Sequence, residues 1–394
     1  MVARNRMAAW PGVILRSMGS DELMTGEEDG AGRDGAPSAT ARGRRSARSL
    51  PDALPTMRDI ASRAGVSQST VSRVLNDAPT RVPIAADTRE RVIVAARELG
   101  YRPNPLARAL RGAPTMLMGA VVRDFSDPFF ASAIEALAVE AMANGYNVVL
   151  GHAHGRLDES IALSAVLETR HTDAIVLLGY MQDQPRLLED LRGSRVPVVA
   201  LWQGASPCEF PTMDVDDRAG VLTGLQHLAD LGHRRIAFVS AELPGHNPTR
   251  EDAFVEFMSG GLGGVPVGAV QRVPNSLAGG ELALRALLEL HEPPTAIVAS
   301  TDLVAVGVLH AAYSAGRVVP RELSVVGYDD LPIAAHTVPA LTTLRMPIGE
   351  MVGTGVRLAI ELARDAKVSR EPRKEVFRPT LVVRESTAPP PVDS

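Results

Sequence analysis

One cysteine, Cys208, stands in 394 residues, so no intrachain disulfide can form, and this usage fits a reducing cytosol. Its neighbours, ASPCEFP, hold no pattern of an activated thiol. Aromatic residues make up only 4%, while Ala, Val and Leu abound, as α/β packing expects. No run of about 18 consecutive apolar residues occurs, so no membrane-spanning helix and no membrane partner is expected. Catalytic constellations are missing too. His152 and His154 lack a third ligand at metal-site spacing and read as a polar loop. The glycines from Gly261 to Gly264 lack the strand, turn and helix of a nucleotide fingerprint. We therefore expect no enzyme, no metal and no cofactor.

What is present is length enough for two or three domains with a full core. The net charge of −5 hides an uneven distribution. Ten Arg face five acidic residues from Thr56 to Gly112, giving +5, against +1 before that run and −11 after it. Only the Thr56–Gly112 run suits a phosphate backbone. Residues 1 to 55 mix Gly, Ala, Arg and acids without apolar periodicity and are expected to be disordered. Their faintly signal-like start is broken by Pro11 and Arg16, and translation beginning near Met24 or beyond is the preferred reading. The alternative is that ARGRRSARS adds nonspecific DNA affinity.

The run TMRDIASRAGVSQSTVSRVLNDAPTRVPIAADTRERVIVAARELGYRPNPLARALRG carries the densest local signals. Thr56 with Asp59 three residues on is a capping-box variant. Met57, Ile60, Ala61 and Ala64 fall at helical spacing, and Gly65 supplies a left-handed stop. Ser67 can cap a second helix with Val71, Val74 and Leu75 inward and Gln68, Ser69, Ser72 and Arg73 outward. The pair reads as a helix-turn-helix whose second helix suits the major groove. A third helix is predicted from Thr88 to Leu99, with Val92, Val94, Ala95 and Leu99 available for packing and Gly100 at its end.

AGVSQSTVSRVLN from Ala64 to Asn76, YRPN from Tyr101 to Asn104 and ARALR from Ala107 to Arg111 resemble the lactose-repressor (LacI) family. The resemblance implies that Gln68, Ser69 and Arg73 reach base edges. Gln on adenine and Arg on guanine each pair in two places, worth roughly 1–3 kcal/mol of discrimination. Ser67, Thr70, Ser72 and Asn76 complete the implied DNA-contacting set of the head, and a phosphate contact is the alternative for Ser69. The loop from Asn76 to Thr88 is longer than the family's usual turn, and Arg81 within it reads as a solvated arginine.

Asn104 and Pro105 form a clear helix start, yet Gly112 and Pro114 end it after about seven residues, below the ~12–15 an isolated helix needs. By resemblance this is a hinge helix, ordered when two copies meet on an operator. Leu110 matches the position that wedges between base pairs in the minor groove; Ala107 permits close approach, and Arg108 and Arg111 supply charge. Local sequence alone leaves a flexible arginine-containing linker as the alternative.

Beyond Thr115, strands are predicted at 116–122, 147–151, 174–179, 196–201, 235–240, 267–273, 296–300 and 323–328, with helical segments between them. Continuous apolar strands of this kind indicate buried parallel sheets. The fold class expected is an all-α helix-turn-helix headpiece plus an α/β sensor core of two doubly wound parallel-sheet subdomains. GHRRIAFVS, PTAIVASTDLVAVGVLHAA, ELSVVGYDD and RPTLVVREST resemble the same family's effector-binding core, itself similar to periplasmic sugar-binding proteins. A ligand then sits at strand carboxyl ends between the subdomains. The resemblance places Phe129 and Phe130 on that pocket, with core packing as the alternative, and Asp127 as an acceptor or a helix cap. Arg250, in the pattern REDAF, matches the ligand-binding arginine. Asp302 and Asp329 follow two strands, Asp329 being the better sugar-hydroxyl acceptor. Trp202 and Gln203 stand where many members place polar residues, and Thr301 replaces the commoner asparagine.

The domains expected are a disordered extension at 1–55, the headpiece at 56–103, the hinge and linker at 104–114, the effector core at 115–388 and a disordered tail at 389–394. The function implied is a cytosolic regulator, a repressor, that binds a pseudopalindromic double-stranded DNA operator as a homodimer and answers to a small molecule, a sugar or sugar derivative. A small-molecule sensor without transcriptional output is the alternative, which the intact Arg73, Asn104 and Leu110 oppose.

Overall fold

The computed structural model describes residues 55–75, 83–101, 114–153, 172–204, 208–242, 248–261, 264–365 and 367–391. The expectations for residues 1–54, Asn76, Arg81, His154, Asn104, Ala107, Arg108, Leu110 and Arg111 lie outside them. The chain divides into two compact units, Met1–Tyr101 and Arg102–Ser394.

In the first unit, α1 (Met57–Ala64), α2 (Gln68–Leu75) and α3 (Ala86–Glu98) close on one small core. The Asp59 carboxylate accepts from both the Thr56 N–H and the Thr56 hydroxyl, each at 2.7 Å. Gly65 takes φ 65°, left-handed, and releases the chain toward α2, a conformation that costs glycine nothing. Ile60, Ala61, Ala64, Val71, Val74, Val92, Ala95 and Ala96 are buried together, with Leu75, Leu99 and Tyr101 against them. Val94, expected to pack, is instead 40% exposed. It lies two residues beyond Val92, and a 3.6-residue period turns that position away from the face that Ala95, Ala96 and Leu99 share. Helix α3 also begins two residues earlier than expected, at Ala86.

The second unit holds two six-stranded sheets. The first contains β1 (Leu117–Val122), β2 (Asn147–His152), β3 (Ala174–Leu178), β4 (Val198–Leu201), β5 (Thr212–Val215) and β11 (Lys374–Phe377), in the order β11-β5-β4-β3-β1-β2. The second contains β6 (Ile236–Glu242), β7 (Val270–Pro274), β8 (Ala296–Ala299), β9 (Ser324–Asp329), β10 (Thr342–Arg345) and β12 (Thr380–Val382), in the order β12-β10-β9-β8-β6-β7. All pairings are parallel except β10 with β12. Each sheet reverses direction beside its first strand, the doubly wound switch point outside whose strand ends ligands bind.

Helices α4 (Pro128–Ala143), α5 (Pro185–Gly193) and α10 (Ile348–Arg364) belong with the first sheet. Helices α6 (Asp217–Asp230), α7 (Thr249–Gly261), α8 (Leu277–Leu288) and α9 (Asp302–Ser314) belong with the second. The chain thus passes between the subdomains three times, at Asp216, at Pro347 and between Phe377 and Thr380. Strands β3, β4, β8 and β9 are buried along their whole length, the mark of a sheet covered on both faces.

The eight strands expected between 116 and 328 are present with shifted ends. Four others, β5, β10, β11 and β12, are short and carry Thr, Asp, Lys, Glu or Arg, so no apolar run marks them. The tail expected to be disordered from 389 is placed as far as Pro391. His233 Nε2 donates to the Ala388 carbonyl at 2.8 Å, and Pro390 lies against Gly232, which ties the end of the chain to the second subdomain.

Candidate functional site

Two surfaces are candidates for function. On the head, Ser67 spends its hydroxyl on the start of α2, where it accepts the Thr70 N–H at 3.1 Å and lies 2.8 Å from both Ser69 Oγ and Thr70 Oγ1. That cap satisfies an amide left open at a helix start. Gln68, Ser69 and Arg73 are exposed, while Thr70 and Ser72 are half-buried. The two long polar side chains, Gln68 and Arg73, therefore stand free of the packing that fixes the helix, on a helix able to enter a major groove.

In the second unit, a cavity of about 160 Å³ opens at the carboxyl ends of both sheets, room for a small molecule rather than a single water. Asp127, Phe129, Phe130, Trp202, Arg250 and Asp329, all expected there, line it. Asp302 does not. It is fully buried behind the cavity, where its carboxylate accepts the Leu331 N–H at 2.7 Å and the Thr343 hydroxyl at 2.5 Å. Gly327 makes that position possible, because a Cβ there would stand 2.2 Å from Asp302 Oδ1. Burial pushes the Asp302 carboxyl up to about 7, against the opposing pull of its two hydrogen bonds.

One wall is aromatic. Phe129 meets Phe130 edge-on at 5.3 Å and Trp202 edge-on at 4.9 Å between ring centroids, geometry that the ring quadrupoles favour. Trp202 holds φ 59°, and its buried indole N–H has no partner among the described residues. A buried donor left unmatched costs about 1–3 kcal/mol, which a ligand acceptor would recover. Gln203 turns away from the cavity and ties the ends of β3 and β4 together through the Gly179 and Leu201 carbonyls and the Met181 N–H.

The opposite wall is charged. Arg250 donates from Nε to Asp217 at 2.8 Å, bonds the Ser300 carbonyl through Nη1, and lies 3.6 Å above the Tyr328 ring. The Tyr328 hydroxyl donates to the same Asp217 oxygen at 3.0 Å. Burial alone would drive the guanidinium's pKa down, but Asp217, Tyr328 and Asp329 outweigh it and hold it above its ordinary value. Burial raises the Tyr328 phenol well above its usual range, and Asp217 adds to that. Asp329 takes φ 118°, a conformation that is costly for a residue with a side chain and that clusters at functional sites. Burial raises its carboxyl well above the ordinary range, partly opposed by Arg250 and reinforced by Asp302 and Asp127.

Asp127 caps α4 by accepting the Phe129 N–H at 2.9 Å and also accepts the Asn275 amide at 3.0 Å from the other subdomain. Asn275 in turn accepts the Thr301 hydroxyl at 2.9 Å. Burial raises the Asp127 carboxyl, and the Phe129 N–H pulls against it. Sequence reasoning missed Arg123, Asp214, Asp217, Ser240 and Ser300, all on the cavity. Asp214 and Asp217 flank the end of β5, a strand too short and polar to be read, and a strand end there would have marked both. Nothing local singles out Asn275.

Residues 56–104 match the description "Bacterial regulatory proteins, lacI family", and residues 225–387 match "Periplasmic binding protein-like domain". The HTH-type transcriptional repressor PurR of Erwinia tasmaniensis is 32% identical over 349 residues, covering 86% of this chain and 98% of the relative. A solved lac repressor dimer bound to operator and an anti-inducer is 25% identical at TM-score 0.75, over 85% of this chain and 100% of that one. A transcriptional regulator CelR–cellobiose complex is 28% identical at TM-score 0.61, over 84% of this chain and 99% of that one. These relatives are transcriptional regulators, not enzymes, and no described helix is long and apolar enough to cross a membrane. With a helix-turn-helix head, two doubly wound subdomains and a cavity at their strand ends, the chain belongs to the lacI family of bacterial regulatory proteins.

Proposed function

We propose that the protein is a repressor that binds a pseudopalindromic operator as a homodimer and that a sugar or sugar derivative in the cavity between its subdomains controls that binding. The carrying observation is the cavity itself: an aromatic wall for a sugar's apolar face stands opposite carboxylates that accept hydroxyls, with backbone strain held at Trp202 and Asp329. The cellobiose complex of a related regulator supports a sugar. The lac repressor dimer on its operator supports a symmetric dimer on a symmetric site. Val139 and Met142 on α4 and Leu150 on the edge strand β2 are exposed apolar residues suited to contact with a second copy. Leu150→Asp should shift the dimer toward monomer in sedimentation; an unmoved dimer would place the interface elsewhere.

In this reading Gln68 and Arg73 read bases, and paired hinge segments around Leu110 complete the grip. Effector binding changes the angle between subdomains and thereby the approach of the two hinges. A differential affinity of about 1–3 kcal/mol between states suffices. The test is fluorescence anisotropy with DNA from upstream of the protein's own gene, competed by unrelated DNA at fixed salt and titrated with a sugar panel. Competition-resistant binding that one sugar shifts supports the reading. Binding that only tracks salt, and that no sugar moves, removes it.

A further inference from the structure

The aromatic wall of the cavity is closed into a circuit by a residue that does not line it. Trp202 carries φ 59°, a left-handed backbone that a bulky side chain keeps only where its surroundings over-determine it. The indole meets Phe129 edge-on at 4.9 Å, and its N–H has no partner among the described residues, so no side-chain hydrogen bond of its own holds that conformation. The Trp202 backbone N–H donates to the Met213 carbonyl at 3.0 Å, and the next residue supplies the rest. Gln203 is fully buried, and its amide folds back across Trp202 to donate to the Leu201 carbonyl at 3.2 Å. The same nitrogen donates to the Gly179 carbonyl at 2.5 Å, and Oε1 accepts the Met181 N–H at 3.3 Å. Both amide hydrogens and the amide oxygen are thus engaged, and a satisfied buried network of this kind is rigid.

Gly179 leads back to the wall. It takes φ 96°, and a Cβ there would stand 2.7 Å from Phe130 Cζ and 2.8 Å from Arg123 Cβ, so the Phe130 ring fills the space a side chain would need. Phe130 meets Phe129, and Phe129 meets Trp202. Gln203, Gly179, Phe130, Phe129 and Trp202 therefore form a ring of contacts, and of these five Gln203 alone is absent from the cavity wall.

Resting on the reading of this cavity as the effector site, we propose that Gln203 is a positioning residue: its amide holds Trp202 in the left-handed conformation that sets the indole against Phe129, and effector affinity depends on Gln203 without contact between the two. A binding site gains affinity when its walls are fixed before the ligand arrives, and here one buried amide fixes the turn that carries the largest ring of the wall.

Tryptophan occurs twice in the chain, so Trp10→Phe leaves Trp202 as the single indole reporter in an otherwise full chain. In that background Gln203→Met keeps the length and bulk of the side chain and removes its hydrogen bonds. Thr115→Val is the control, because it removes buried bonds to Asp173 and to the Leu117 N–H at the amino end of β1, whereas the cavity lies at the carboxyl ends. The expected result is that Gln203→Met moves Trp202 emission to the red and makes it more readily quenched by acrylamide, while Thr115→Val matches the parent in both at a comparable loss of thermal stability. Whichever of cellobiose, glucose and ribose binds the parent most tightly in calorimetry should bind Gln203→Met about tenfold more weakly, about 1.4 kcal/mol, and Thr115→Val as well as the parent. Emission and quenching unchanged in Gln203→Met, or moved equally in Thr115→Val, overturn the positioning role. A moved indole with undiminished sugar affinity overturns its bearing on the effector. No heat from any of the three sugars with the parent removes the sugar reading, and the fluorescence comparison alone then decides whether Gln203 holds Trp202. Should Gln203→Met not fold, Gln203→Asn, whose amide is one methylene short of the Gly179 carbonyl, is read by the same criteria.

Discussion

Trp202 and Asp302 show how much a single side chain's direction decides. Both follow a strand end, and both were expected at the ligand. Trp202 reaches the cavity with its N–H unmatched, so Trp202→Phe should keep the ring contact with Phe129 and lose only the donor. Effector affinity should fall about tenfold, with apo stability unchanged or raised by up to about 1 kcal/mol, because an unsatisfied buried donor is removed. Calorimetry and denaturant unfolding on the same variant read both quantities. Asp302 turns inward because Gly327 leaves room for its carboxylate, and a bare sequence does not reveal an absent Cβ across the sheet. Burial holds its carboxyl up at about 7 in the folded protein, against about 3.9 for a free aspartate. The folded state therefore holds the proton longer, so this group's contribution is fully present below about 3.9 and is lost as pH rises through about 7. Asp302→Asn mimics the protonated acid, so its stability relative to the parent should rise between pH 4 and 7 when the two are unfolded in parallel, with Asp329, Asp330 and Arg384 unchanged. Parallel stability curves would show that Asp302 does not hold this proton.

At the scale of elements, the legible parts were those with a strong period or a strong stop. Helices α1 and α2 emerged from caps, apolar spacing and Gly65, and the fully buried strands from their apolar runs. Strand β5 did not, because its residues Thr212 and Asp214 imitate a loop, and with it went Asp214 and Asp217. The small head offers a direct test of its independence. Ile60 is fully buried in a core of eight buried side chains, and Ile→Ala at such a site costs about 2–5 kcal/mol. A head of this size has about 3–5 kcal/mol to lose. Ile60→Ala should therefore abolish DNA binding and the head's thermal transition while the second unit keeps its own transition and its effector affinity. Joint melting of both units in calorimetry would show that the head does not fold alone.

For the whole molecule, the bond from Asn275 to Asp127 joins the two subdomains across the cleft. A hydrogen bond to a charged group contributes about 1.5–3 kcal/mol, comparable to the coupling between sites in many regulated proteins. Asn275→Ala should thus speed hydrogen exchange at the start of α4 and around Ser276 in the ligand-free protein. Exchange identical to the parent would mean the contact contributes nothing to closure. The overall architecture was legible because two sets of apolar strands repeat along the chain. The cross-cleft bond was not, since it depends on which loops come to face each other.

The three passages of the chain between subdomains bear on inheritance. The first subdomain is assembled from residues 115–215 and 348–377, and the second from 217–346 and 380–388. No single uninterrupted stretch of the gene encodes either one. Recombination within the core would hand a daughter protein a sheet lacking β11 or β12, so the second unit can be exchanged between regulators only as one cassette, divided from the first unit after Tyr101. Operator choice and effector choice can then diversify independently, while the two halves of the ligand site must evolve together.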